Sequence, residues 1–216
     1  MIAARIISLL IGYCFGMILC GYILGRINNV DLTKVGSGNV GTTNTLRNLG
    51  VSAGAITLLG DCLKCVCAVA LVWLIFGNFY EDPSIFMVYA GLGAVLGHDF
   101  PVYMKFKGGK GIASTLGFII ALFPVGMPIP AVVFITIVAL TRYVSLGSII
   151  GILSFGIEVT VFGLLGRLHF SGTELTEVLI IVWFIVAIAI ILHHANIKRL
   201  INGTENKFSF HPETRK

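Results

Sequence analysis

Three short polar, glycine-containing stretches have the residue types needed to handle a phosphorylated compound. The first, GSGNVGTTNTLR at 36–47, satisfies the nucleotide-binding pattern G-x-G-x-x-G. The second, GHDFPVYMKFKGGKGIAS at 97–114, contains G-G-K-G, and the third, HHANIKRLINGTENK at 193–207, places His193 three residues before Asn196. Glycines let backbone N–H groups approach an anion, and Arg or Lys supplies the opposite charge. The three stretches together predict a phosphate-binding site.

The first stretch does not predict a dinucleotide site. Such a site needs its glycines between a buried strand and a helix, with an acidic residue about 20 positions further on. Asp61 has that spacing, but the runs on both sides of the stretch are apolar and as long as membrane helices. A phosphate at a helix N-terminus remains, with Ser37 or Asn39 capping the following turn and Arg47 binding the anion in a bidentate manner. The alternative is an ordinary polar loop.

The second stretch is not a Walker A motif, because Met104 occupies the position of the upstream glycine. Lys105, Lys107 and Lys110 around two adjacent glycines still predict a flexible cationic site for an anion. For Lys105 and Lys107 the alternative is a position among lipid headgroups, as is typical of basic residues at the cytoplasmic face.

The third stretch places His193, Asn196 and either Arg199 or Leu200 on one face of a helix, since they are three or four residues apart. A histidine and an asparagine on one face at a membrane boundary can orient and deprotonate a hydroxyl group. Taken alone, His193 is better explained as an interfacial side chain, like its neighbour His194.

The composition is that of an integral membrane protein. Of the 216 residues, 56% are hydrophobic and 12% charged, with a net charge of +5; the mean hydropathy is +0.96. We therefore expect one all-α domain, 1–216, with little mass outside the membrane. The first apolar run has no basic segment beyond Arg5 and no cleavage site, so we interpret it as a retained span. The five cysteines lie in apolar runs, and Cys62-x-x-Cys65 predicts inert thiols, not a metal site.

Hydropathy predicts about seven transmembrane helices. Lys and Arg enrich alternate connections, which predicts an N-terminus outside and a C-terminus in the cytoplasm. The segment 112–141 must cross twice in about 30 residues, where two full spans need about 40, so these two helices are expected to be short or re-entrant. The predicted helices lie near 4–25, 50–76, 85–97, 112–123, 128–141, 146–166 and 175–194.

In order and over nearly the whole chain, the three stretches resemble the acyl-phosphate:glycerol-3-phosphate acyltransferases, the PlsY family of bacterial phospholipid synthesis. The first matches S-G-N-x-G-x-x-N-x-x-R from Ser37 to Arg47, the second is G-G-K-G at 108–111, and the third matches H-x-x-N-I-x-R-L-x-x-G-x-E from His193 to Glu205. The resemblance implies a seven-span membrane enzyme. It would transfer a fatty acyl group from acyl phosphate to the 1-hydroxyl of glycerol 3-phosphate, giving lysophosphatidic acid.

The resemblance also implies a role for each matched residue. It implies that the active site faces the cytoplasm at the bacterial inner membrane. Either His193 or a substrate phosphate oxygen would accept the hydroxyl proton. The partners would be the two substrates and the lipid bilayer, with no metal, cofactor, nucleic acid or obligate protein partner. The implied catalytic residues are Ser37, Arg47, His193 and Asn196. The implied substrate-binding residues are Gly36, Gly38, Asn39, Gly41, Thr42, Asn44, Lys105, Gly108, Gly109, Lys110, Gly111 and Glu205.

Two other functions compete with the acyltransferase. An organic-phosphate transporter would also hold anions at glycines that interrupt helices, and the intramembrane pair Asp61 and Lys64 suits a carrier. That pair can equally neutralise itself and fix helix packing. Against a carrier, the polar residues gather on one membrane face and no inverted repeat is detectable. A lipid-binding scaffold would not need His193 and Asn196 beside the phosphate residues. Glu158 stays unexplained.

Overall fold

The computed structural model describes residues 1–126 and 128–208, and within them the regular secondary structure is helical. These residues form two compact units, Met1–Leu122 and Phe123–Phe208, which are described separately. The helices of unit 1 are α1 (Ile2–Gly16), α2 (Cys20–Ile27), α3 (Thr42–Leu49), α4 (Val51–Phe76), α5 (Ser84–Asp99), a 3-10 turn (Val102–Met104) and α6 (Ile112–Leu122). Those of unit 2 are α7 (Pro128–Thr141), α8 (Val144–Leu164), α9 (Gly172–Leu192) and α10 (His194–Ile201).

The predicted all-α membrane architecture is confirmed. Five helical segments are long and apolar enough to cross a membrane, and two shorter apolar helices, α6 and α7, correspond to the pair expected to be short. The helix ends lie within a few residues of those predicted, because uninterrupted apolar runs and flanking polar residues define a span directly in the sequence. The five long segments are Ile2–Ile27, Val51–Phe76, Ser84–Met104, Val144–Leu164 and Gly172–Leu192.

In unit 1, α1 packs mainly against α5, and the two helices approach each other through glycines. Gly12 and Gly16 on α1 face the backbone of α5, while Gly93 and Gly97 on α5 face the backbone of α1. A methyl group at any of the four would overlap the opposite backbone. Small residues four apart allow such close packing of membrane helices. α5 is therefore closely packed on α1, and the second polar stretch begins in its last turn.

The first span is broken, although its hydropathy predicts one continuous helix near 4–25. Leu19 is extended (φ −95°, ψ 100°) and separates α1 from α2. Two side chains of α4 bind backbone groups at the break: Lys64 Nζ donates to the Ile18 carbonyl at 2.7 Å, and Asp61 Oδ1 accepts from the Cys20 amide at 3.3 Å. Asp61 and Lys64 also form the buried ion pair expected from their spacing, at 2.9 Å. This pair supplies hydrogen bonds where the helix ladder is interrupted.

In unit 2, α8 packs against α7 and α9, and the short α10 contacts both α8 and α9. Phe123 lies against Phe155 and Phe170, with ring centroids 5.8 and 6.4 Å apart. Glu158 is buried on α8 beside Gly126, and its two carboxylate oxygens have no hydrogen-bond partner among the described residues. α10 bears the third polar stretch, so its position on α8 and α9 decides where those side chains lie.

Candidate active site

A single buried side chain organises the loop of the first polar stretch. Asn44, on α3, is 2% exposed. Its Nδ2 donates to the carbonyls of Leu32, Val35 and Asn39 at 3.2, 3.1 and 2.8 Å, and its Oδ1 accepts from the Ser37 amide at 2.9 Å. The Asn44 amide thus reproduces the backbone pairing of a turn. Both its polar atoms are engaged by the loop, so its contribution to a phosphate site is to position Ser37 and Asn39.

The glycines of this loop have the backbone conformations that their type predicts. Gly36 and Gly38 have φ of +60° and +70°, which disfavour any other residue, and a side chain at Gly36 would overlap Asn44. Neither Ser37 nor Asn39 caps α3, since Gly41 is its N-cap and in this part of the described structure no side chain caps the helix. Asn39 Oδ1 instead accepts from the Gly41 amide at 2.8 Å, closing a tight Asx turn before the helix starts.

Three side chains of the first stretch have polar groups suited to an anion. Ser37 is exposed and Arg47 is half-buried on the last turn of α3. The Thr42 hydroxyl, on the first turn, is buried and has no hydrogen-bond partner among the described residues. Leaving a buried hydroxyl without a hydrogen bond is unfavourable. A phosphate oxygen that reached the Thr42 hydroxyl would accept its hydrogen bond and remove this cost.

The glycine-rich stretch docks on the end of α5. The Gly108 amide donates to the Asp99 carbonyl and the Gly109 amide to the His98 carbonyl, both at 2.9 Å. These two amides therefore hold the loop to α5. The glycines were expected to direct their amides at an anion, and for Gly108 and Gly109 this expectation is wrong. Gly111 (φ +73°) turns the chain into α6. Lys110 is half-buried between the docked glycines and the helix, whereas Lys105 is exposed in a left-handed turn (φ +53°).

The first and second stretches border one small apolar cluster in unit 1. Leu19, Leu32 and Val40 form its buried part, and Met104, four residues before Gly108, packs against it. Val40 belongs to the first stretch, so the loop before α3 and the segment before the glycines rest on a common apolar base.

Two buried polar residues at the end of α5, His98 and Asp99, were missed by the sequence analysis. Each is 2% exposed. His98 Nδ1 lies 2.8 Å from Lys64 Nζ, and the Asp99 carboxylate faces Gly111 without a hydrogen-bond partner in the described part of the chain. The available signal was the position of a His-Asp pair at the end of an apolar helix, directly before the glycine-rich stretch.

The third stretch is a junction of two helices and not one continuous helix, so the uninterrupted helix assumed for it is wrong. α9 ends at Leu192, and α10 begins at His194. His193, at the junction, is 4% exposed, and its Nδ1 lies 2.7 Å from the Ala189 carbonyl. Since a carbonyl only accepts, Nδ1 carries the proton and Nε2 of the neutral ring is the accepting nitrogen. His194 is exposed.

A carboxylate fixes the orientation of Asn196. Gly203 (φ +69°) turns the chain after α10, and Glu205 returns to the helix. It accepts from Asn196 Nδ2 at 2.8 Å, Arg199 Nε at 2.6 Å and Ser145 Oγ at 2.9 Å. Burial alone would raise the pKa of Glu205, but these three hydrogen bonds outweigh it and lower the pKa below the ordinary glutamate value. Ser145, on α8, has no signal in the sequence that would have identified it.

The predicted site residues thus fall into two groups. Unit 1 contains the first two stretches, with Arg47 and Lys110 as their half-buried cations. Unit 2 contains the third, with His193 and Asn196 buried on and before α10. Unit 1 has two half-buried cations next to glycine turns, and unit 2 has a buried histidine three residues before an amide that Glu205 orients.

Comparison with known proteins gives one consistent family. A family model described as glycerol-3-phosphate acyltransferase matches residues 6–203. The glycerol-3-phosphate acyltransferase of Trichlorobacter lovleyi is 40% identical over 196 residues, which cover 91% of this chain and 93% of that protein.

Two crystal structures of PlsY (YgiH), described as an integral membrane glycerol 3-phosphate acyltransferase, have a similar fold. The glycerol 3-phosphate form has a TM-score of 0.80 and 33% identity, and the lysophosphatidic acid form 0.78 and 32%. Each match covers 95% of this chain and 96% of the other. The family match and this likeness extend over nearly the whole length, and the chain therefore belongs to the glycerol-3-phosphate acyltransferase family.

Proposed function

We propose that this chain transfers a fatty acyl group from acyl phosphate to the 1-hydroxyl of sn-glycerol 3-phosphate. The products are lysophosphatidic acid (1-acyl-glycerol 3-phosphate) and phosphate, and the reaction is the first step of phospholipid synthesis. One observation carries the proposal: a relative 33% identical over 95% of this chain is described in a glycerol 3-phosphate form, and again in a lysophosphatidic acid form. These are the acceptor and the product of such a transfer. The transporter hypothesis receives no support from the comparisons.

The choice of acyl phosphate as donor follows from chemistry and from the histidine pattern. The better-known glycerophosphate acyltransferases with thioester donors have H-x-x-x-x-D, but Tyr103, Lys198 and Arg199 follow His98, His193 and His194 at that distance. His169 reaches Glu174, but on the side expected to be outside. Acyl phosphate is a mixed anhydride with a good leaving group, so no covalent enzyme intermediate is needed. The glycerol oxygen bonds to the carbonyl carbon, the bond from that carbon to the phosphate oxygen breaks, and phosphate leaves with the electron pair. Positioning and charge neutralisation supply much of the rate.

Unit 1 supplies the anion-binding groups of this proposal. The loop that Asn44 holds presents Ser37 and the glycine backbone to the acyl phosphate head, with the partnerless Thr42 hydroxyl as an additional donor. Arg47 and Lys110 neutralise the phosphate of glycerol 3-phosphate. The acyl chain of the donor extends among the apolar helices.

In this proposal, the third polar stretch supplies the proton acceptor. His193 Nε2 takes the proton of the 1-hydroxyl as the new ester bond forms, since its Nδ1 proton is directed to the Ala189 carbonyl. Asn196, held by Glu205, orients the hydroxyl or the phosphate next to it. The competing acceptor is an oxygen of a substrate phosphate, and the effect of replacing His193 on kcat distinguishes the two.

We expect the three polar stretches to face the cytoplasm at the bacterial inner membrane. Arg26, Lys34 and Arg47 lie in the connection that contains the first stretch, and the connection with the second stretch is also basic. The connection at 77–83 has two acids and no base. By the positive-inside rule the three stretches face the cytoplasm, with the N-terminus outside and the C-terminus inside.

The test is a two-donor assay on purified protein in detergent, with labelled glycerol 3-phosphate and EDTA present. We expect labelled lysophosphatidic acid and one inorganic phosphate per turnover with palmitoyl phosphate, and little or no product with palmitoyl-CoA. Arg47→Ala should abolish turnover, whereas Lys34→Ala, an exposed base in the same connection paired with Asp31 at 3.4 Å, should not. Equal rates with both donors would contradict the donor, and product from neither would contradict the acyltransferase.

A further inference from the structure

The ammonium group of Lys64 joins the helix break of the first span to the end of α5. It donates to Asp61 Oδ1 at 2.9 Å, to the Ile18 carbonyl at 2.7 Å and to His98 Nδ1 at 2.8 Å. These three acceptors use all three of its protons. The Lys64 side chain is 4% exposed and that of Asp61 1%. A buried ammonium with a complete set of partners is a rigid support, because losing any one bond leaves a charged donor unsatisfied.

Lys64 determines how the proton of His98 is placed. An ammonium group can only donate, so Nδ1 of His98 must accept and the proton of the neutral ring is on Nε2. The Nε2 edge of the ring lies directly against Gly109, where a methyl group would overlap Nε2, Cδ2 and Cε1. The Gly109 amide in turn donates to the His98 carbonyl at 2.9 Å. His98 therefore holds Gly109 by its ring and by its backbone at once.

We infer that His98 is a positioning residue of the phosphate site, acting through Gly109 on Lys110. The inference rests on the proposed function, in which Lys110 binds the phosphate of glycerol 3-phosphate. His98 lies beneath the glycine-rich stretch and does not touch the substrate. Contact with its ring fixes the distance of Gly109 from α5. Because Lys110 is the next residue along the chain, this contact also fixes where the Lys110 backbone lies. Glycine is required at 109 because the imidazole ring occupies the space of a side chain.

The test is a double-variant cycle on the full-length protein. Gly109→Ala pushes the loop away from the ring and should raise the apparent KM for glycerol 3-phosphate more than it lowers kcat. In His98→Asn, the Asn Oδ1 replaces Nδ1 as acceptor for Lys64, and the space of the Nε2 edge is empty. We expect a raised KM here too. The KM of the double variant should be at least about fivefold lower than that of Gly109→Ala, since the new methyl group occupies the vacated space.

Gly108→Ala is the matched control. A methyl group at Gly108 would overlap the His98 carbonyl and approach Pro101 and the Asp99 carbonyl, all of which remain in His98→Asn. The second replacement should therefore give no recovery from Gly108→Ala. Recovery in the Gly108 pair as large as in the Gly109 pair, or none in the Gly109 pair, would overturn the inference. If Gly109→Ala does not accumulate as folded protein, His98→Asn alone decides, and a KM within about twofold of the unmodified chain overturns it.

Binding of labelled glycerol 3-phosphate, measured by equilibrium dialysis on the same six proteins, separates this inference from the proposed function. Turnover by the unmodified chain without recovery in the double variant contradicts only the role of His98. Binding of glycerol 3-phosphate without turnover contradicts the acyltransferase activity. In that case the double-variant cycle, evaluated with Kd in place of KM, still tests the role of His98. Absence of both in the unmodified chain overturns both.

Discussion

Replacement of Glu205 by Gln tests how Asn196 is held in place. The Glu205 carboxylate uses one oxygen for Asn196 and Ser145 and the other for Arg199. Glutamine has a single accepting oxygen, and its NH₂ group must face one set of donors. The least costly arrangement keeps Asn196 and Ser145 on the oxygen and turns the NH₂ towards Arg199, which loses its charge-assisted hydrogen bond.

The size of the effect follows from that lost bond. Hydrogen bonds to charged groups contribute about 1.5–3 kcal/mol, and the lower end applies because the Arg199 side chain is 34% exposed. At about 1.4 kcal/mol per factor of ten, the ordered form of the segment 193–205 becomes about tenfold less favoured. Because both Glu205 oxygens accept from protein groups, Asn196 and Ser145 on one and Arg199 on the other, kcat should fall by up to about tenfold with little change in either KM.

The measurement is steady-state kinetics with palmitoyl phosphate and labelled glycerol 3-phosphate, each varied in turn. Ser145→Ala is the control, since it removes one of three hydrogen bonds to Glu205 and leaves Asn196 and Arg199 in place; its kcat should fall by no more than about fivefold. Glu205→Gln with unchanged kcat, or with a raised KM as its main effect, would refute the argument and place Glu205 in contact with a substrate.

Four further outcomes are expected. His193→Ala should lower kcat by about 10²-fold or more if its Nε2 is the base, while the exposed His194→Ala stays nearly silent; a loss mainly in KM would assign the proton to a substrate phosphate. Arg47→Lys should lose far more kcat/KM than its retained charge suggests, because the planar fork is lost, and a rate equal to that of the unmodified chain argues against bidentate binding. The lowered pKa of Glu205 contributes stability that is complete above the ordinary glutamate pKa of about 4.3 and is lost as the pH falls through the lowered pKa. Tm should therefore drop more steeply with acid in the unmodified protein than in Glu205→Gln. Activity should persist in EDTA, since Asp31, Asp99 and Glu205 belong to no cluster of three metal-ligating side chains among the described residues; loss of activity that Mg²⁺ restores would contradict this.

The spans and the polar stretches were predictable because both are local signals. A membrane helix is defined by about 20 consecutive apolar residues, and each polar stretch is a contiguous pattern. The break at Leu19 was not predictable, since the residues that satisfy its backbone lie 41 and 46 positions away in the sequence. The apolar run around Leu19 looks continuous, and only the contact with α4 shows why it is interrupted.

The composition of the site was more predictable than its internal contacts. The pattern identified Asn44 and Glu205, but their roles depend on which atoms they meet after folding, and both side chains bind other parts of their own stretch. The amides of Gly108 and Gly109 were expected to face an anion because glycine permits close approach. They pair with carbonyls of α5 because a helix ends there with unsatisfied acceptors, which the sequence does not announce.

The break in the first span has a consequence for how the chain enters the membrane. Its partners on α4 are synthesised 41 and 46 residues after it, so they cannot meet it while the first span is leaving the translocon. In lipid, each unsatisfied backbone group costs several kcal/mol, which an unassisted break would incur. We therefore expect the first span to insert as one unbroken helix and to bend at Leu19 only after α4 has arrived beside it. On this expectation α2, and the direction in which it leads the chain to the first polar stretch, are formed during assembly of the bundle and not during insertion.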